Sequence, residues 1–280
     1  MVMTTSTIQS LLRDSASIPG DSPRLDVELL LCHVLQKDRV FLRTWPEHQL
    51  GDEQLAQFKR LLARRIAGEP VAYLVGHRAF WSLDLQLNND TLIPRPETEI
   101  LVQCALDTLP PDPCRVLDLG TGSGAIALAL ASERPVWQVD AIDQSASCVA
   151  IAQENAAAHG LGNVTVWRSD WYSEVAGPYH LIVSNPPYID AGDPHLEQGD
   201  LRFEPRLALV AVRAGLAAIE QVVAGAMSLL EPGGWLMFEH GSEQGAASAR
   251  LLAAAGFSDI ACHRDLAGHD RVSMGRKPAR

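Results

Sequence analysis

The amino-acid sequence predicts an α/β protein in which a mostly parallel, seven-stranded sheet follows a small helical domain. From Arg115 onward, short apolar segments alternate with segments of helical spacing, whereas residues 1–75 show helical spacing alone. Such alternation is typical of a parallel sheet covered by helices on both faces. The chain has 280 residues, 47% of them hydrophobic, so we expect two domains with full cores.

The first domain, residues 1–75, contains two clear helical segments. One begins at Ser22-Pro23 and runs to Lys37, and the other begins with Asp52 as the expected N-cap and runs to Ala67. No cluster of His, Cys or carboxylate residues suggests chemistry here. We therefore expect a lid or a partner-binding surface.

A β-hairpin linker is expected at residues 76–92. Aromatic and alternating residues begin near Val71, and Asn88-Asn89-Asp90 is a turn signal. A helix is expected at Glu97–Leu109, because Pro96 is acceptable in a first helical turn.

The second domain, residues 93–280, contains the strands of the sheet. The last two strands are joined by a short loop with Gly268, so they should pair antiparallel at or near the sheet edge. The expected strands are Arg115–Leu119, Trp137–Ile142, Val164–Arg168, His180–Ser184, Trp235–Glu239, Ile260–Arg264 and Arg271–Gly275. The further expected helices are Gly124–Glu133, Ser145–His159, Leu216–Leu230 and Glu243–Ala255.

Charge and cysteine content narrow the function classes. The net charge of -11 argues against tight binding to nucleic-acid phosphates, which depends on a basic surface. The five cysteines are scattered without a Cys-x-x-Cys pair, which argues against zinc and disulfides and suits a reducing cytoplasm. Met1–Gln9 lacks a signal-peptide pattern, and no apolar run approaches the ~18 residues of a membrane span.

A glycine-rich loop follows the first strand of the second domain. Its glycines allow positive φ angles and close approach of a ligand, and Asp143, after the next strand, can accept the hydroxyl groups of a ribose. The loop also satisfies the looser dinucleotide fingerprint, so by itself it fits S-adenosylmethionine or NAD. Asp118 favours the methyl donor, because a carboxylate suits an ammonium group and repels a pyrophosphate. The loop consists of Gly120, Thr121, Gly122, Ser123 and Gly124.

The third strand is followed by Ser169, Asp170 and Trp171. A side chain there can hydrogen-bond an adenine amino group while Trp171 packs against the ring. A turn cap and a core aromatic are the simpler interpretation of the pair, but the position at a strand end favours the cofactor. We assign Asp170 and Trp171 to the cofactor site, together with Asn185 after the fourth strand.

The fourth strand ends in Asn185, Pro186, Pro187 and Tyr188, the expected catalytic residues. The prolines fix φ and remove backbone donors, which makes the loop stiff. The Asn185 side-chain carbonyl and the Pro186 backbone carbonyl can accept both hydrogens of one –NH2 group, and Tyr188 can pack over its plane. This increases electron density on a weakly nucleophilic amide nitrogen and aims its lone pair at a methyl sulfonium, with positioning worth ~7–11 kcal/mol at best. No strong base is required.

Several stretches resemble the peptide chain release factor glutamine N5-methyltransferases, the PrmC/HemK family. Asn-Pro-Pro-Tyr alone is shared with amino-methylating DNA and ribosomal enzymes, whereas the proline–arginine and Arg-Phe-Glu-Pro stretches are far more particular to this family. The resemblance spans Leu92 to the C-terminus, and residues 1–75 suit the family's N-terminal domain. The matching stretches are Leu92–Glu99, Asp118–Ala125, Ser169–Trp171, Val183–Ile189, His195-Leu196, Gly199–Pro205 and Glu239–Gly241.

The resemblance implies a Rossmann-like class I methyltransferase fold with S-adenosylmethionine as donor and S-adenosylhomocysteine as product. It further implies methylation of the glutamine N5 in the Gly-Gly-Gln motif of bacterial class 1 release factors, which modulates translation termination. Arg95, Glu97 and Glu204 are expected to shape the cleft. We expect a cytoplasmic monomer that binds the release factor and binds no nucleic acid directly, no membrane and no metal.

Three other functions stay open at this point. A nucleic-acid amino methyltransferase would need base flipping or a single strand, and a basic docking face that the net charge of -11 disfavours. A nicotinamide oxidoreductase is supported by the glycine loop alone. A non-catalytic release-factor-binding protein would have no need of an intact Asn185 pocket.

Overall fold

The computed structural model describes residues 6–13, 18 and 22–279, which fall into two units. The first unit is drawn from Met1–His77 and Pro194–Phe203, and the second from Arg78–Asp193 and Glu204–Arg280. The first unit therefore includes a segment from far along the chain, which no sequence pattern indicated. The expectation about a signal peptide concerns Met1–Gln9, of which residues 1–5 lie outside the described residues.

The first unit is helical, as its spacing predicts. Its described helices are α1 (Ile8–Arg13), α2 (Pro23–Leu35), α3 (Arg39–Thr44), α4 (Asp52–Ile66) and α5 (Val71–Val75). The two predicted helices are confirmed by α2 and α4. The predicted N-cap of α4 was wrong by one residue, because Gly51 is the cap and its N–H donates to Gln54 Oε1 at 3.1 Å. Asp52 lies in the first turn instead, where a carboxylate favours the positive end of the helix dipole.

The region after α4 is only partly extended. Val71–Val75 forms α5, which ends at Gly76 with a φ of 82°, so the extended interpretation was wrong for these residues. The hairpin itself consists of β1 (His77–Phe80) and β2 (Leu83–Gln86), and it turns between Phe80 and Leu83. Asn88-Asn89-Asp90 form a separate turn beyond β2, in which the Asp90 N–H donates to Asn88 Oδ1 at 3.0 Å.

The seven strands predicted from Arg115 onward are all present, with bounds that agree to within five residues at each end, whereas the short strands Ile189–Asp190 and Val210–Ala211 were not predicted. The bounds differ most at the fifth strand of the sheet, which begins at Leu230 rather than Trp235 because it continues through Pro232-Gly233-Gly234. The strands are β3 (Arg115–Leu119), β4 (Gln138–Asp143), β5 (Val164–Arg168), β6 (Tyr179–Ser184), β7 (Ile189–Asp190), β8 (Val210–Ala211), β9 (Leu230–Glu239), β10 (Ser258–Arg264) and β11 (Asp270–Arg276).

Seven of these strands form one sheet in the order β10-β11-β9-β6-β3-β4-β5. The pairs among β9, β6, β3, β4 and β5 are parallel, and β11 pairs antiparallel with both β9 and β10. The predicted mostly parallel sheet with an antiparallel C-terminal hairpin is thus confirmed. The chain reverses its direction of winding between β3 and β6, and ligands bind at such a switch point, outside the carboxyl ends of the strands.

Helices cover the sheet and bury its apolar side chains. On one face Val116 and Val139 pack with the helices Glu99–Thr108, Ala125–Glu133 and Ala146–Ala158. On the other face Leu117 and Leu119 pack with the helices Ala217–Leu229 and Gly245–Ala254. None of the helices in the described ranges is long and apolar enough to cross a membrane. The helices of this unit are α6 (Glu99–Thr108), α7 (Ala125–Glu133), α8 (Ala146–Ala158), α9 (Arg206–Leu209), α10 (Ala217–Leu229) and α11 (Gly245–Ala254).

A buried ion pair lies within the first unit. Arg65 Nε donates to Asp26 Oδ2 at 2.7 Å, and both side chains are only about a tenth exposed. Arg65 Nη1 also donates to Asp200 Oδ1 at 3.3 Å, and Arg202 Nη2 donates to the Ala67 carbonyl at 3.2 Å. These bonds attach the segment Pro194–Phe203 to the end of α4 and explain why it belongs to this unit.

We expect Arg65→Met to lower the free energy of unfolding of the first unit by about 3 kcal/mol, because it leaves Asp26 buried without its partner. Adding Asp26→Leu should recover much of the loss. The matched control is Arg64→Met, whose surface pair with Glu69 (2.7 Å) should be worth at most about 1 kcal/mol. Urea denaturation followed by circular dichroism measures both, and equal losses for the two arginine variants would contradict the assignment.

Candidate active site

The carboxyl ends of β3, β4, β5 and β6 surround a cleft of about 200 Å³. Most of the residues predicted for the site lie on its wall, because each of them ends one of these strands or follows its end within three residues. These are Gly120, Gly122, Asp143, Asp170, Trp171, Asn185, Pro186 and Pro187. Thr121, Ser123, Gly124 and Tyr188, which were also predicted, are not part of the wall.

The glycine loop leaves open space along the wall of the cleft. Gly120 and Gly122 have φ angles of 74° and 57°, in the region that favours glycine, and a Cβ on either would meet no atom within 4 Å. The N–H groups of Gly120 and Thr121 both donate to the Ile142 carbonyl at 2.9 Å, which ties the loop to the end of β4. A ligand can therefore lie directly against this backbone.

The other loop residues support the loop from behind. Thr121 Oγ1 donates to Asp118 Oδ2 at 2.7 Å, and the Ser123 carbonyl accepts from Asn155 Nδ2 at 2.9 Å. A Cβ on Gly124 would lie 2.9 Å from Leu128 Cδ1, so glycine lets α7 begin close to the loop. These residues therefore shape the loop from behind the cleft wall.

Asp118 is fully buried beneath the loop. Its Oδ2 accepts from Thr121 and from the Ala127 N–H at 3.2 Å, whereas Oδ1 has no hydrogen-bond partner among the described residues. Burial raises the pKa of this carboxyl to about 7, although the two hydrogen bonds oppose the shift. The sequence placed Asp118 near a ligand ammonium; in the structure it lies outside the cleft wall, with an unpartnered oxygen.

Asp143 and the turn after β5 form the next part of the wall. Asp143 Oδ2 accepts from the Gly122 N–H at 3.0 Å and Oδ1 from the Ser145 N–H at 2.9 Å, while burial raises its pKa. The Ser169 N–H donates to the Asp143 carbonyl at 3.1 Å. Trp171 has a φ of 49°, and its ring packs on the core while lining the cleft.

The Asn-Pro-Pro-Tyr loop is held by a chain of hydrogen bonds. Asn185 Nδ2 donates to Thr98 Oγ1 at 3.1 Å, and Thr98 Oγ1 donates to Glu239 Oε2 at 2.6 Å. The Tyr188 hydroxyl donates to Glu239 Oε1 at 3.0 Å. Burial raises the pKa of Glu239, and the hydroxyl groups of Thr98 and Tyr188 partly offset this. Asn185 is therefore anchored through its amide nitrogen, and its Oδ1 has no partner among the residues described.

Tyr188 is fixed at both its ends. Its carbonyl accepts from Gln244 Nε2 at 3.0 Å, and a Cβ on Gly215 would lie 1.9 Å from the same carbonyl oxygen. Burial, followed by the charge of Glu239, raises the pKa of its hydroxyl. The structure thus places Tyr188 as an anchor of the loop beside the cleft.

The side of the cleft is closed by two segments joined through Glu204. This buried carboxylate forms an ion pair with Arg95 Nη2 and accepts from the Ile93 N–H at 3.0 Å. Leu92 and Pro205, on the two segments, both line the cleft. Arg95 and Glu204 therefore shape the wall, whereas Glu97 is exposed.

Thr98 and Glu239 were not assigned a role from the sequence. One signal was present: Glu239 is an acid at the end of the apolar strand Trp235-Leu236-Met237-Phe238, where a buried carboxylate needs partners. Among the described residues, no group of three or more His, Cys, Asp or Glu could hold a metal ion.

The chain matches known families along most of its length. Residues 8–76 match the PrmC N-terminal domain, and residues 96–199 match the Methyltransferase small domain. The chain is 53% identical to the release factor glutamine methyltransferase of Pseudomonas aeruginosa, over 96% of this chain and 98% of that protein. It is 50% identical to the protein of the same name from Escherichia coli, over 92% of this chain and 93% of that protein.

A solved structure with the same fold is the 16S rRNA N2 G1207 methyltransferase of T. thermophilus, in complex with AdoMet and guanosine. It matches 72% of this chain and 49% of its own, with a TM-score of 0.53 and 19% identity, which is a likeness of fold alone. The family matches and the sheet order together confirm the predicted class I methyltransferase fold.

We expect Asp118→Asn to change how stability depends on pH. An unfolded carboxyl loses its proton near pH ~4, whereas folded Asp118 keeps it up to about pH 7, so this group's contribution to stability falls as pH rises through that window. Asparagine cannot ionise, so the variant should gain stability relative to the unsubstituted protein, by up to ~1.4 kcal/mol per pH unit. Unfolding midpoints measured between pH 5 and 8 test this, and a constant difference would contradict it.

Proposed function

This chain belongs to the family of release factor glutamine methyltransferases, and we propose that it methylates the glutamine N5 in the Gly-Gly-Gln motif of bacterial class 1 release factors. The modification modulates translation termination in the cytoplasm. The observation that carries the proposal is the orientation of Asn185, whose amide nitrogen is bonded to Thr98 and whose carbonyl oxygen is left for an N–H donor.

The residues of the cleft fit S-adenosylmethionine as the donor. Gly120 and Gly122 leave room for a ligand against the backbone, and Asp118, which has one unpartnered oxygen among the described residues, lies beneath the same loop. Asp143 can take the ribose hydroxyl groups, and Asp170 with Trp171 can take the adenine. When bound, this cofactor supplies an electrophilic methyl group.

The acceptor nitrogen is held by two carbonyl oxygens. Asn185 Oδ1 accepts one hydrogen of the glutamine –NH2 group, and the Pro186 carbonyl accepts the other. Neither oxygen has a hydrogen-bond partner among the described residues, so both are available. Their partial negative charge increases electron density on the amide nitrogen, and the stiffness of the two prolines keeps its lone pair aimed along one line.

The loop does not need a base. Glu239 is the carboxylate nearest in the hydrogen-bond chain, and both of its oxygens already accept hydroxyl groups. The proton therefore passes from the nitrogen to solvent water after the methyl group has been transferred, when the nitrogen is cationic and strongly acidic. The role of Asn185 and Pro186 is to position and polarise the amide.

The substrate partner is a protein, and the enzyme works as a monomer without direct contact to nucleic acid. The net charge of -11 supports a protein acceptor, because phosphate binding depends on basic surfaces. The cleft wall includes Leu207, which is 78% exposed and offers an apolar contact to an incoming loop.

We expect Asn185→Ala to lower kcat by ~10²–10³, by analogy with the loss of a preorganised hydrogen-bonding group. Donor affinity should be nearly unchanged, because the glycine loop and Asp143 are intact. Radiolabelled methyl transfer measures the rate and calorimetry the donor affinity. The matched control is Asn89→Ala, an exposed asparagine outside the cleft wall, which should keep full activity. Near-normal turnover of Asn185→Ala would refute the role of Asn185.

The acceptor is tested with the purified protein, radiolabelled S-adenosylmethionine and three acceptors. We expect label on a class 1 release factor, none on the same factor with the Gly-Gly-Gln glutamine changed to alanine, and none on RNA or DNA. Label on nucleic acid but not on the release factor would overturn the proposed function.

A further inference from the structure

A buried carboxylate without a cation in hydrogen-bond contact lies behind the acceptor loop. Glu239 is 1% exposed, and its two oxygens accept from Thr98 and Tyr188. The charge of Arg271 lowers the pKa of Glu239 without a hydrogen bond between the two side chains, and the charge of Glu97 raises it. Burying a carboxylate among hydroxyl groups is costly compared with an apolar residue of the same shape. This free-energy cost indicates that Glu239 has a role other than packing.

The carboxylate sets the direction of the hydrogen-bond chain. Both oxygens of Glu239 accept, one from Thr98 and one from Tyr188, so the single hydrogen of the Thr98 hydroxyl points to Glu239. The Thr98 oxygen is then left as an acceptor, and the group of Asn185 that faces it must be the donor –NH2. The Asn185 carbonyl consequently lies at the opposite end of the amide.

We propose that Glu239 is a positioning residue which, through Thr98, fixes the Asn185 amide with its carbonyl toward the acceptor and thereby selects a glutamine amide over a glutamate carboxylate. This inference rests on the proposed function. A carbonyl accepts from the –NH2 group of glutamine and repels a carboxylate, whereas a reversed Asn185 would do the opposite. Residue preference at the acceptor therefore depends on a carboxylate that never touches it.

The geometry of the sheet supports this role. Phe238 of β9 lies opposite Ser184 of β6, so Glu239 and Asn185 leave neighbouring parallel strands at the same level. Tyr188 occupies the second oxygen of Glu239, which leaves the first oxygen for Thr98. Glu239 thus holds both ends of the Asn-Pro-Pro-Tyr loop, Asn185 through Thr98 and Tyr188 directly.

Two substitutions should release Asn185 without changing the shape of the site. Thr98→Val keeps the branched side chain but can neither donate nor accept, so the Asn185 amide can rotate by half a turn. Glu239→Gln can donate its own –NH2 to the Thr98 oxygen, which turns the Thr98 hydroxyl toward Asn185 and favours the reversed amide. Thr98→Ser keeps the hydroxyl and should restore the original orientation.

The test compares two forms of a class 1 release factor, one with the Gly-Gly-Gln glutamine and one with glutamate in its place. Calorimetry gives the dissociation constant of each form, and methyl transfer gives kcat. The unsubstituted protein should bind the glutamine form more tightly. In Thr98→Val and Glu239→Gln we expect this preference to fall about tenfold and kcat to fall about tenfold, the scale on which indirect ligand-orienting partners act. Thr98→Ser should behave like the unsubstituted protein, and donor affinity should be unchanged in all three variants.

The matched control is Thr108→Val, which removes a hydroxyl of the same kind that donates to the Cys104 carbonyl at 2.7 Å, away from the cleft. It should change neither the preference nor kcat. An unchanged preference in Thr98→Val, or equal losses in Thr98→Val and Thr98→Ser, would overturn the inference. If the unsubstituted protein methylates the release factor but binds both forms equally, the inference fails while the proposed function stands. Absence of methylation would instead refute the proposed function.

Discussion

The alignment of β3 with β6 determines where every other part of the site can lie. Leu119 lies opposite Ser184, and the Ser184 hydroxyl donates to the Leu119 carbonyl at 2.8 Å. Gly120 and Asn185 therefore leave adjacent strands at the same level, although 65 residues separate the two strand ends. A shift of one residue would turn the inward side chains of a strand to the opposite face. The glycine loop and the Asn-Pro-Pro-Tyr loop would then no longer line one cleft.

Buried acids at the ends of the aligned strands hold the loops that follow, through hydrogen bonds. Asp118 is the last residue but one of β3, Asp143 ends β4 and Glu239 ends β9, and burial raises the pKa of each. Their hydrogen-bond partners are hydroxyl groups and backbone N–H groups rather than arginine or lysine side chains. In each of these bonds the acid oxygen accepts, so the position of each acid fixes the direction in which its neighbours donate. Rigidity and polarity of the site thus come from the same groups.

The sequence predicts the sheet well because buried parallel strands are short apolar runs between glycines and prolines. The same argument brings Gly120, Asp143 and Asn185 together, since each directly follows such a run. It cannot show the bond between Thr98 and Glu239, which spans 141 residues and leaves no local pattern. The sequence also predicts that Tyr188 packs over the acceptor. The direction of its side chain, however, depends on Glu239 of β9, to which its hydroxyl donates.

The late position of Pro194–Phe203 in the chain affects when the first unit can be completed during synthesis. Arg65 and Asp26 both belong to the first 77 residues, but Asp200, which Arg65 also contacts, belongs to a part of the chain that is synthesised much later. Residue 203 follows residue 77 by 126 residues. At ~5–20 residues per second, the ribosome takes roughly 6–25 s to cover that distance. The helices of the first unit are thus synthesised before its last segment, and most strands of the parallel sheet are translated in the interval between them.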